Sequence, residues 1–210
     1  MDFLAIAKKE RPQAIIMLGP FLDINNQDIN SGEIFFENPD KSKTFVSYEE
    51  LFKDLVNTIQ RELSGVKTDV IFVPSHRDIH HMEPIPQAPF LQNYFPAPER
   101  SHPTTFQTAP NPCMIYLNEV KVGIMNTDVV KDLCSSLLPK NMVPAKIDLG
   151  LRGILEQRLY YPLYPPNAET PIEYSEIGQL YINEAPDILI TPSDLIQFSK
   201  VTIVKYNRFL

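Results

Sequence analysis

The chain has 210 residues, of which 43% are hydrophobic, and a formal charge of -7, so it has enough apolar material for one sizeable core. An acidic surface repels a phosphate backbone, and free-standing DNA binding is therefore not expected. The two cysteines, Cys113 and Cys134, show no paired spacing, which argues against a disulfide framework and a cysteine-ligated zinc site and favours a reducing intracellular compartment. No signal-peptide pattern and no bilayer-length apolar run is present, so we expect neither secretion nor membrane insertion.

Glycine is scarce and proline is abundant. Twenty prolines stand against seven glycines, whereas average usage is roughly 5% proline and 7% glycine. The loops are therefore expected to be stiff and extended. The sequence contains neither G-x-G-x-x-G nor a Walker-type loop, so nucleotide binding of those two kinds is disfavoured.

The first third of the chain has the pattern of an α/β fold. Residues 1–10 are typical of the end of a helix, and the apolar run Ala14–Leu18 predicts a buried strand. Ser47 begins a capping box, and Val70–Val73 predicts a second buried strand after it. The helix between them has apolar residues four positions apart on one face, at Leu51, Leu55, Ile59 and Leu63. Strand, helix and strand in this order indicate a right-handed crossover in a largely parallel sheet.

Loops separate the remaining predicted elements. Residues 24–46 are polar and irregular with one short extended stretch at 34–36, and the segment 74–112, which has nine prolines, predicts a long loop packed on the body. Met114–Leu117 and Val120–Met125 predict an antiparallel hairpin. The last third predicts helices from Asp128 to about 138, over 146–159 and from near Ser193, and strands at 187–191 and 201–205.

Four predicted strand ends carry acidic residues, in the segments 19–23, 74–78, 126–128 and 191–194. Ligands of an open α/β sheet bind at the carboxyl ends of its strands, so four such loops can meet in one site. One hypothesis is a metal-assisted phosphoesterase, since a pair of divalent ions needs carboxylates and imidazoles as ligands. Its candidate ligands are Asp23, Asp78, His80, His81, Asp128 and Asp194.

Structural roles compete for the same residues. Asp128 and Asp194 stand where helix N-caps are expected, and we favour capping over metal binding there. His80 and His81 are adjacent, so in an extended segment they point in different directions and at most one faces a shared site. Asp78 beside Arg77 is as consistent with a local ion pair or a turn stabiliser as with a metal ligand.

A resemblance comes from the segment Pro74-Ser-His-Arg-Asp-Ile-His-His81, followed by Pro86-Gln-Ala-Pro-Phe90. It resembles the B subunits of eukaryotic replicative DNA polymerases, and most specifically their alpha type. Further matches cover nearly the whole span from about residue 13 to 195. The resemblance implies a calcineurin-like phosphoesterase fold, with layered mixed sheets flanked by helices, over one domain at 1–210. It also implies a fragment of a larger subunit that lacks the first strand and the oligonucleotide-binding-type (OB) domain.

The same resemblance implies that the phosphoesterase site is inactivated. Pro20 stands where active members of the wider superfamily have a bridging aspartate, and His76 and Arg77 stand where they have an asparagine and a histidine. A guanidinium cannot ligate a metal ion and repels it. We therefore expect no enzyme activity, catalytic residue, cofactor or bound metal. The degenerate positions are Pro20, Asp23, His76, Arg77, Asp78, His80, His81, Asp128 and Asp194.

The resemblance implies a scaffold function in the nucleus. A scaffold of this type holds the C-terminal domain of the polymerase alpha catalytic subunit, is linked indirectly to primase, meets DNA only through the complex and needs no membrane. Two alternatives remain open: an active metal-dependent phosphoesterase, and a B subunit of polymerase delta or epsilon. Five aromatic residues of the proline-rich loops are consistent both with a partner interface and with pinning those loops to the core, namely Phe90, Tyr94, Phe95, Tyr161 and Tyr164.

Overall fold

The computed structural model describes residues 3–37, 41–97, 103–136, 146–195 and 199–201. In these ranges the chain is mixed α/β, as predicted, and it divides into two compact units. Unit 1 comprises Met1–Glu83 and Gln87–Pro110, and unit 2 comprises Pro84–Pro86 and Asn111–Leu210. No helix within the described ranges is both long enough and apolar enough to cross a membrane.

Unit 1 is built on a parallel three-stranded sheet. Its elements in chain order are α1 (Phe3–Glu10), β1 (Ala14–Leu18), α2 (Gln27–Asn30), β2 (Phe35–Glu37), β3 (Lys43–Phe45), α3 (Tyr48–Glu62), β4 (Asp69–Val73), the 3₁₀ segments Ile79–His81 and Gln92–Tyr94, and β5 (Thr105–Thr108). The sheet order is β1-β4-β5, and β2 pairs with β3 in a separate antiparallel hairpin. Leu18 pairs with Val73, so β1 and β4 end at the same edge.

Helix α3 packs on this sheet through a core that is rich in aromatic side chains. The capping box at Ser47 is present with both of its hydrogen bonds, which explains why the helix begins where the sequence predicts. Phe52 and Val56 on its inner face are fully buried and belong to the same cluster as Phe72 of β4 and Phe90. Burying a side chain of this size contributes roughly 1.5–3 kcal/mol, so this cluster stabilises the strands that end at the site.

Unit 2 is built on a mixed three-stranded sheet. Its elements are β6 (Cys113–Leu117), β7 (Val120–Ile124), α4 (Val129–Ser136), α5 (Lys146–Gln157), the 3₁₀ segment Tyr174–Leu180 and β8 (Ile188–Ile190). β6 and β7 form the predicted antiparallel hairpin, and β8 lies parallel to β7. Its core includes Met125, Val129, Ile154 and Leu180.

Two loop predictions are wrong in part. The segment 74–112 contains β5 and two 3₁₀ turns, because its prolines flank Thr105–Thr108 rather than interrupt it and leave its backbone free to pair with β4. The segment 24–46 contains α2 and the β2–β3 hairpin rather than a single extended stretch. The predicted strand at 201–205 and most of the predicted helix after Ser193 lie outside the described residues.

Candidate functional site

In unit 1, the loops that follow β1 and β4 lie against each other, because these parallel strands end in register. A β-bridge joins Asp23 to Asp78, the backbone N–H of Ile24 donates to the carbonyl of Arg77 at 3.0 Å, and that of Ile79 donates to Leu22 at 3.0 Å. The predicted meeting of segments 19–23 and 74–78 is therefore observed. Pro20 and His76 are half-buried within these two loops.

Asp78 is fully buried where these two loops meet. Its Oδ1 accepts hydrogen bonds from the backbone N–H groups of Phe21 at 2.5 Å and Leu22 at 3.0 Å, and its Oδ2 accepts from the N–H of Ser75 at 2.9 Å. Burial raises the pKa of Asp78, while these three donors oppose that shift by favouring the carboxylate. Both oxygens face backbone donors, so of the three roles considered for Asp78 the stabilisation of turns is the one observed.

Arg77 pairs with Asp23, and the alternative of a local ion pair between Arg77 and Asp78 is wrong. Nε of Arg77 donates to Oδ1 of Asp23 at 3.1 Å, and Nη2 donates to Oδ2. Partial burial raises the pKa of Asp23, but the hydrogen bonds from Arg77 and from the backbone N–H of Asn25, together with the charge of Arg77 and a smaller contribution from His76, hold that pKa below its ordinary value. The bidentate guanidinium thus neutralises the carboxylate that a metal ion would need.

His80 lies in the aromatic core of unit 1. Its ring stacks on Phe90 with centroids 5.2 Å apart and planes 6° apart, and its centroid is 4.3 Å from that of Phe52. Neither ring nitrogen has a hydrogen-bond partner among the described residues. Burial, with a smaller contribution from His81, lowers the pKa of His80 from 6.5 to about 4, so the ring is neutral and packs as an aromatic side chain.

His81 follows His80 in a 3₁₀ turn rather than in the extended segment that the prediction assumed, and both imidazole rings contact Phe90. Its Nε2 lies 2.8 Å from the carbonyl oxygen of Ala88, and its ring packs on Phe90 with centroids 5.0 Å apart. Glu83 Oε2 lies 3.7 Å from the same nitrogen. The imidazole therefore fixes the chain between the 3₁₀ turn and Phe90.

In unit 2, the loops that follow β7 and β8 also lie together. Oδ1 of Asp128 accepts from the backbone N–H of Lys131 at 3.0 Å, which confirms the predicted cap of α4, and its Oδ2 accepts from the N–H of Asp194 at 2.7 Å. Oγ1 of Thr191 donates to the carbonyl of Thr127 at 3.1 Å. The structure therefore brings the four acidic loops together as two pairs, one within each unit.

In unit 2, a lysine forms an ion pair with Asp194, one of the two aspartates that these loops bring together. Nζ of Lys131 donates to Oδ2 of Asp194 at 2.8 Å, and this hydrogen bond raises the pKa of Lys131. Both side chains are exposed, so solvent and salt screen the attraction between them. Lys131 was not among the residues predicted from the sequence; its position three residues after the capping Asp128, one helical turn from the cap, was the available signal.

Asp132 on α4 was not predicted from the sequence either. This carboxylate is 6% exposed and accepts from the hydroxyl of Tyr161 at 2.8 Å, from Nδ2 of Asn167 at 2.6 Å and from Oγ1 of Thr170 at 3.1 Å. The N–H of Asn167 in turn donates to the Tyr161 hydroxyl at 3.1 Å. Three uncharged donors thus tie the loop 161–170 to α4.

These arrangements give each of the four predicted carboxylate ligands an internal partner. Within the described residues, no group of three or more histidine, cysteine, aspartate or glutamate side chains is placed to hold a metal ion. Backbone amides hold Asp78, Arg77 holds Asp23, and Lys131 holds Asp194.

Comparison of the sequence with models of protein families identifies the family of this chain. Residues 1–200 match the family model for the B subunit of DNA polymerase alpha/epsilon. The chain belongs to the DNA polymerase alpha/epsilon B-subunit family. The resemblance drawn from the segment 74–90 is thereby confirmed.

The similar members of the B-subunit family include proteins from fungi and animals. The chain is 31% identical over 209 residues to the DNA polymerase alpha B subunit of Schizosaccharomyces pombe, 30% over 208 residues to that of Rattus norvegicus, and 26% over 247 residues to that of Saccharomyces cerevisiae. These alignments cover 95%, 95% and 98% of this chain, and 34%, 32% and 34% of the respective relatives. The chain therefore spans about a third of the length of the curated relatives it matches.

Proposed function

We propose that the chain is a non-catalytic accessory domain of the DNA polymerase alpha–primase complex that acts in the nucleus during the initiation of DNA replication. The observation that carries the proposal is the family match over residues 1–200, together with relatives that are named as B subunits of DNA polymerase alpha. In this proposal the domain binds the C-terminal domain of the polymerase alpha catalytic subunit, reaches primase indirectly, and meets DNA only through the complex. A formal charge of -7 supports the indirect route to DNA.

We further propose that the domain, as a fragment of a larger subunit, has a degenerate calcineurin-like phosphoesterase fold over residues 1–210. The parallel sheet of unit 1 and the mixed sheet of unit 2, each with helices packed on it, support this proposal.

The internal partners of the acidic residues support the loss of hydrolysis. Two-metal phosphoester hydrolysis needs carboxylates that are free to hold cations on either side of the attacked phosphorus. Here Arg77 engages both oxygens of Asp23, and backbone N–H groups engage both oxygens of Asp78. His80 is packed among phenylalanine rings.

The first experiment is a pull-down of the 210-residue chain with the C-terminal domain of the polymerase alpha catalytic subunit. The corresponding domains of the delta and epsilon catalytic subunits serve as matched competitors. Retention of the alpha domain alone supports the proposal. Preferential retention of the delta or epsilon domain would assign the chain to that polymerase, and capture of none by the folded chain would contradict the scaffold role.

A second experiment addresses the enzymatic alternative. The chain is incubated with bis-p-nitrophenyl phosphate and Mn²⁺, alongside the Asp23→Asn variant. We expect the same background rate for both proteins. Turnover that depends on Mn²⁺ and disappears in Asp23→Asn would reinstate the active phosphoesterase.

A further inference from the structure

Tyr164 differs from the other aromatic residues of the proline-rich loops. Phe90, Tyr94, Phe95 and Tyr161 are at most 7% exposed and pin their loops to the core, whereas Tyr164 is 81% exposed. Its ring contacts only the edge of Tyr174 in the described contacts between rings, with centroids 5.3 Å apart and an interplanar angle of 79°. One large aromatic face therefore remains in solvent.

The loop that carries Tyr164 is held in place at both ends. Asp132 on α4 accepts hydrogen bonds from Tyr161 before it and from Asn167 and Thr170 after it. Three prolines lie between these anchors, at 162, 165 and 166, and each restricts the backbone. An exposed ring on a loop that is already ordered loses little conformational entropy when a partner binds. Such a loop is a typical carrier of a binding residue.

The charge around this loop indicates the chemistry of the partner. Between Arg158 and Lys200 the sequence has no lysine or arginine, and it has six acidic residues, Glu169, Glu173, Glu176, Glu184, Asp187 and Asp194. Lys121 pairs with Glu184 at 3.1 Å and Lys131 pairs with Asp194 at 2.8 Å.

The remaining glutamates beside the tyrosines keep their charge exposed. Glu173 and Glu176 flank Tyr174, and Glu169 lies on the Tyr164 loop; all three side chains are exposed. None of the three has an ion-pair partner within 4.0 Å among the described residues, although the charge of Glu169 is one of the smaller causes that raise the pKa of Lys131. A tyrosine face attracts an ammonium or guanidinium group, and the neighbouring carboxylates strengthen that attraction.

We propose that Tyr164 and Tyr174, with Glu169, Glu173 and Glu176, form a docking surface for an extended protein segment rich in lysine and arginine. In this arrangement a cationic side chain lies on the exposed face of Tyr164, and neighbouring cations pair with the glutamates. This inference goes beyond the proposed function, because it concerns the chemistry of the bound segment and not the identity of the protein that carries it.

The test uses a synthetic 12-residue peptide in which arginine and lysine alternate with serine and leucine, titrated into the isotopically labelled chain and followed by NMR. The control peptide has glutamate at every basic position. We expect shift changes concentrated in residues 161–176 with the basic peptide only, and weaker binding as salt is raised because the charges are exposed.

Two variants and two matched controls decide the outcome. Tyr164→Ala is expected to weaken binding about three- to fivefold, the effect of losing one exposed cation–π contact, and Glu176→Lys is expected to weaken it about fivefold or more. Tyr116→Ala and Glu119→Lys change an exposed tyrosine and an exposed glutamate of the β6–β7 hairpin and should bind like the unaltered chain. Amide spectra of each variant report its folding. Unchanged affinity in both Tyr164→Ala and Glu176→Lys, or no binding of the basic peptide by the folded chain, overturns the inference.

Discussion

A Cβ atom added to Gly19 would lie 2.3 Å from Oδ2 of Asp78. It would also lie 3.0 Å from the backbone nitrogen of Ser75. Asp78 cannot retreat from that contact without losing the backbone N–H groups that its carboxylate binds. The close approach of the first loop to the second thus explains why glycine follows β1.

Replacement of Gly19 by alanine is expected to destabilise the chain by about 1–3 kcal/mol, the usual cost of forcing an extra methyl group into a packed site. The matched control is Gly178→Ala, because nothing lies within 4 Å of a Cβ added there. Urea unfolding followed by circular dichroism measures both variants. A loss of stability that is equal in the two would contradict the close contact between Gly19 and Asp78.

The Asp78→Asn variant tests how much the buried Asp78 carboxylate stabilises the contact between the loops that follow β1 and β4. An asparagine side chain keeps one acceptor oxygen and directs N–H donors at the backbone donors that the second oxygen served. We expect a loss of about 2–3 kcal/mol, since hydrogen bonds to a buried charged group are at the strong end of the range. Asp23→Asn, which weakens a partly exposed ion pair, should cost about 1 kcal/mol or less. If Asp23→Asn lowers the free energy of unfolding in urea more than Asp78→Asn does, the contact between the two loops depends mainly on the Asp23–Arg77 ion pair instead.

The lowered pKa of His80 predicts a loss of stability in mild acid. The unfolded chain takes up a proton near pH 6.5, whereas folded His80 does so only near pH 4. Between these values the unfolded state binds more protons, so the free energy of unfolding falls as the pH falls. The contribution from this one group is about 2 kcal/mol between pH 7.5 and pH 5.

His80→Phe isolates that contribution. Phenylalanine fills the same place between Phe52 and Phe90 without a titratable group, so we expect the variant to lose about 2 kcal/mol less stability than the unaltered chain over this pH range. Urea titrations of both proteins at pH 7.5 and pH 5 measure the difference, in which the titration of all other groups cancels. Parallel losses in the two proteins would mean that His80 protonates freely in the folded state.

The sequence correctly predicted the helices and strands whose formation depends on residues close to one another in the chain. The capping box at Ser47 and the apolar spacing behind it identified α3, and unbroken apolar runs identified β1 and β4. The strand β5 was missed because its four residues, Thr105–Thr108, have only one buried member, and their strand conformation depends on pairing with β4, which is distant in sequence.

The partners of polar side chains were harder to predict than the strands. Arg77 is adjacent to Asp78 in the sequence, yet the structure pairs it with Asp23, since the parallel register places the first loop beside the second. The role of Asp132 was not predicted, although the residue lies within a predicted helix, because its three donors come from a loop 29 to 38 residues later. Side-chain pairing of this kind depends on tertiary contacts that no local pattern carries.

Asp132 provides the last prediction, because one carboxylate serves three donors of the loop 161–170. Asp132→Ala leaves the Tyr161 hydroxyl, the Asn167 amide and the Thr170 hydroxyl without their acceptor, and we expect a loss of about 2–4 kcal/mol. Tyr161→Phe removes one of these donors and also the acceptor of the Asn167 N–H, and it should cost about 1–2 kcal/mol. Amide hydrogen exchange distinguishes loosening of the loop from global loss: protection should fall first in residues 161–170 in both variants, while β6 and β7 keep theirs. Unchanged exchange in the loop of folded Asp132→Ala would show that its prolines order it without the carboxylate, and Tyr164 would then be held in place by backbone stiffness alone.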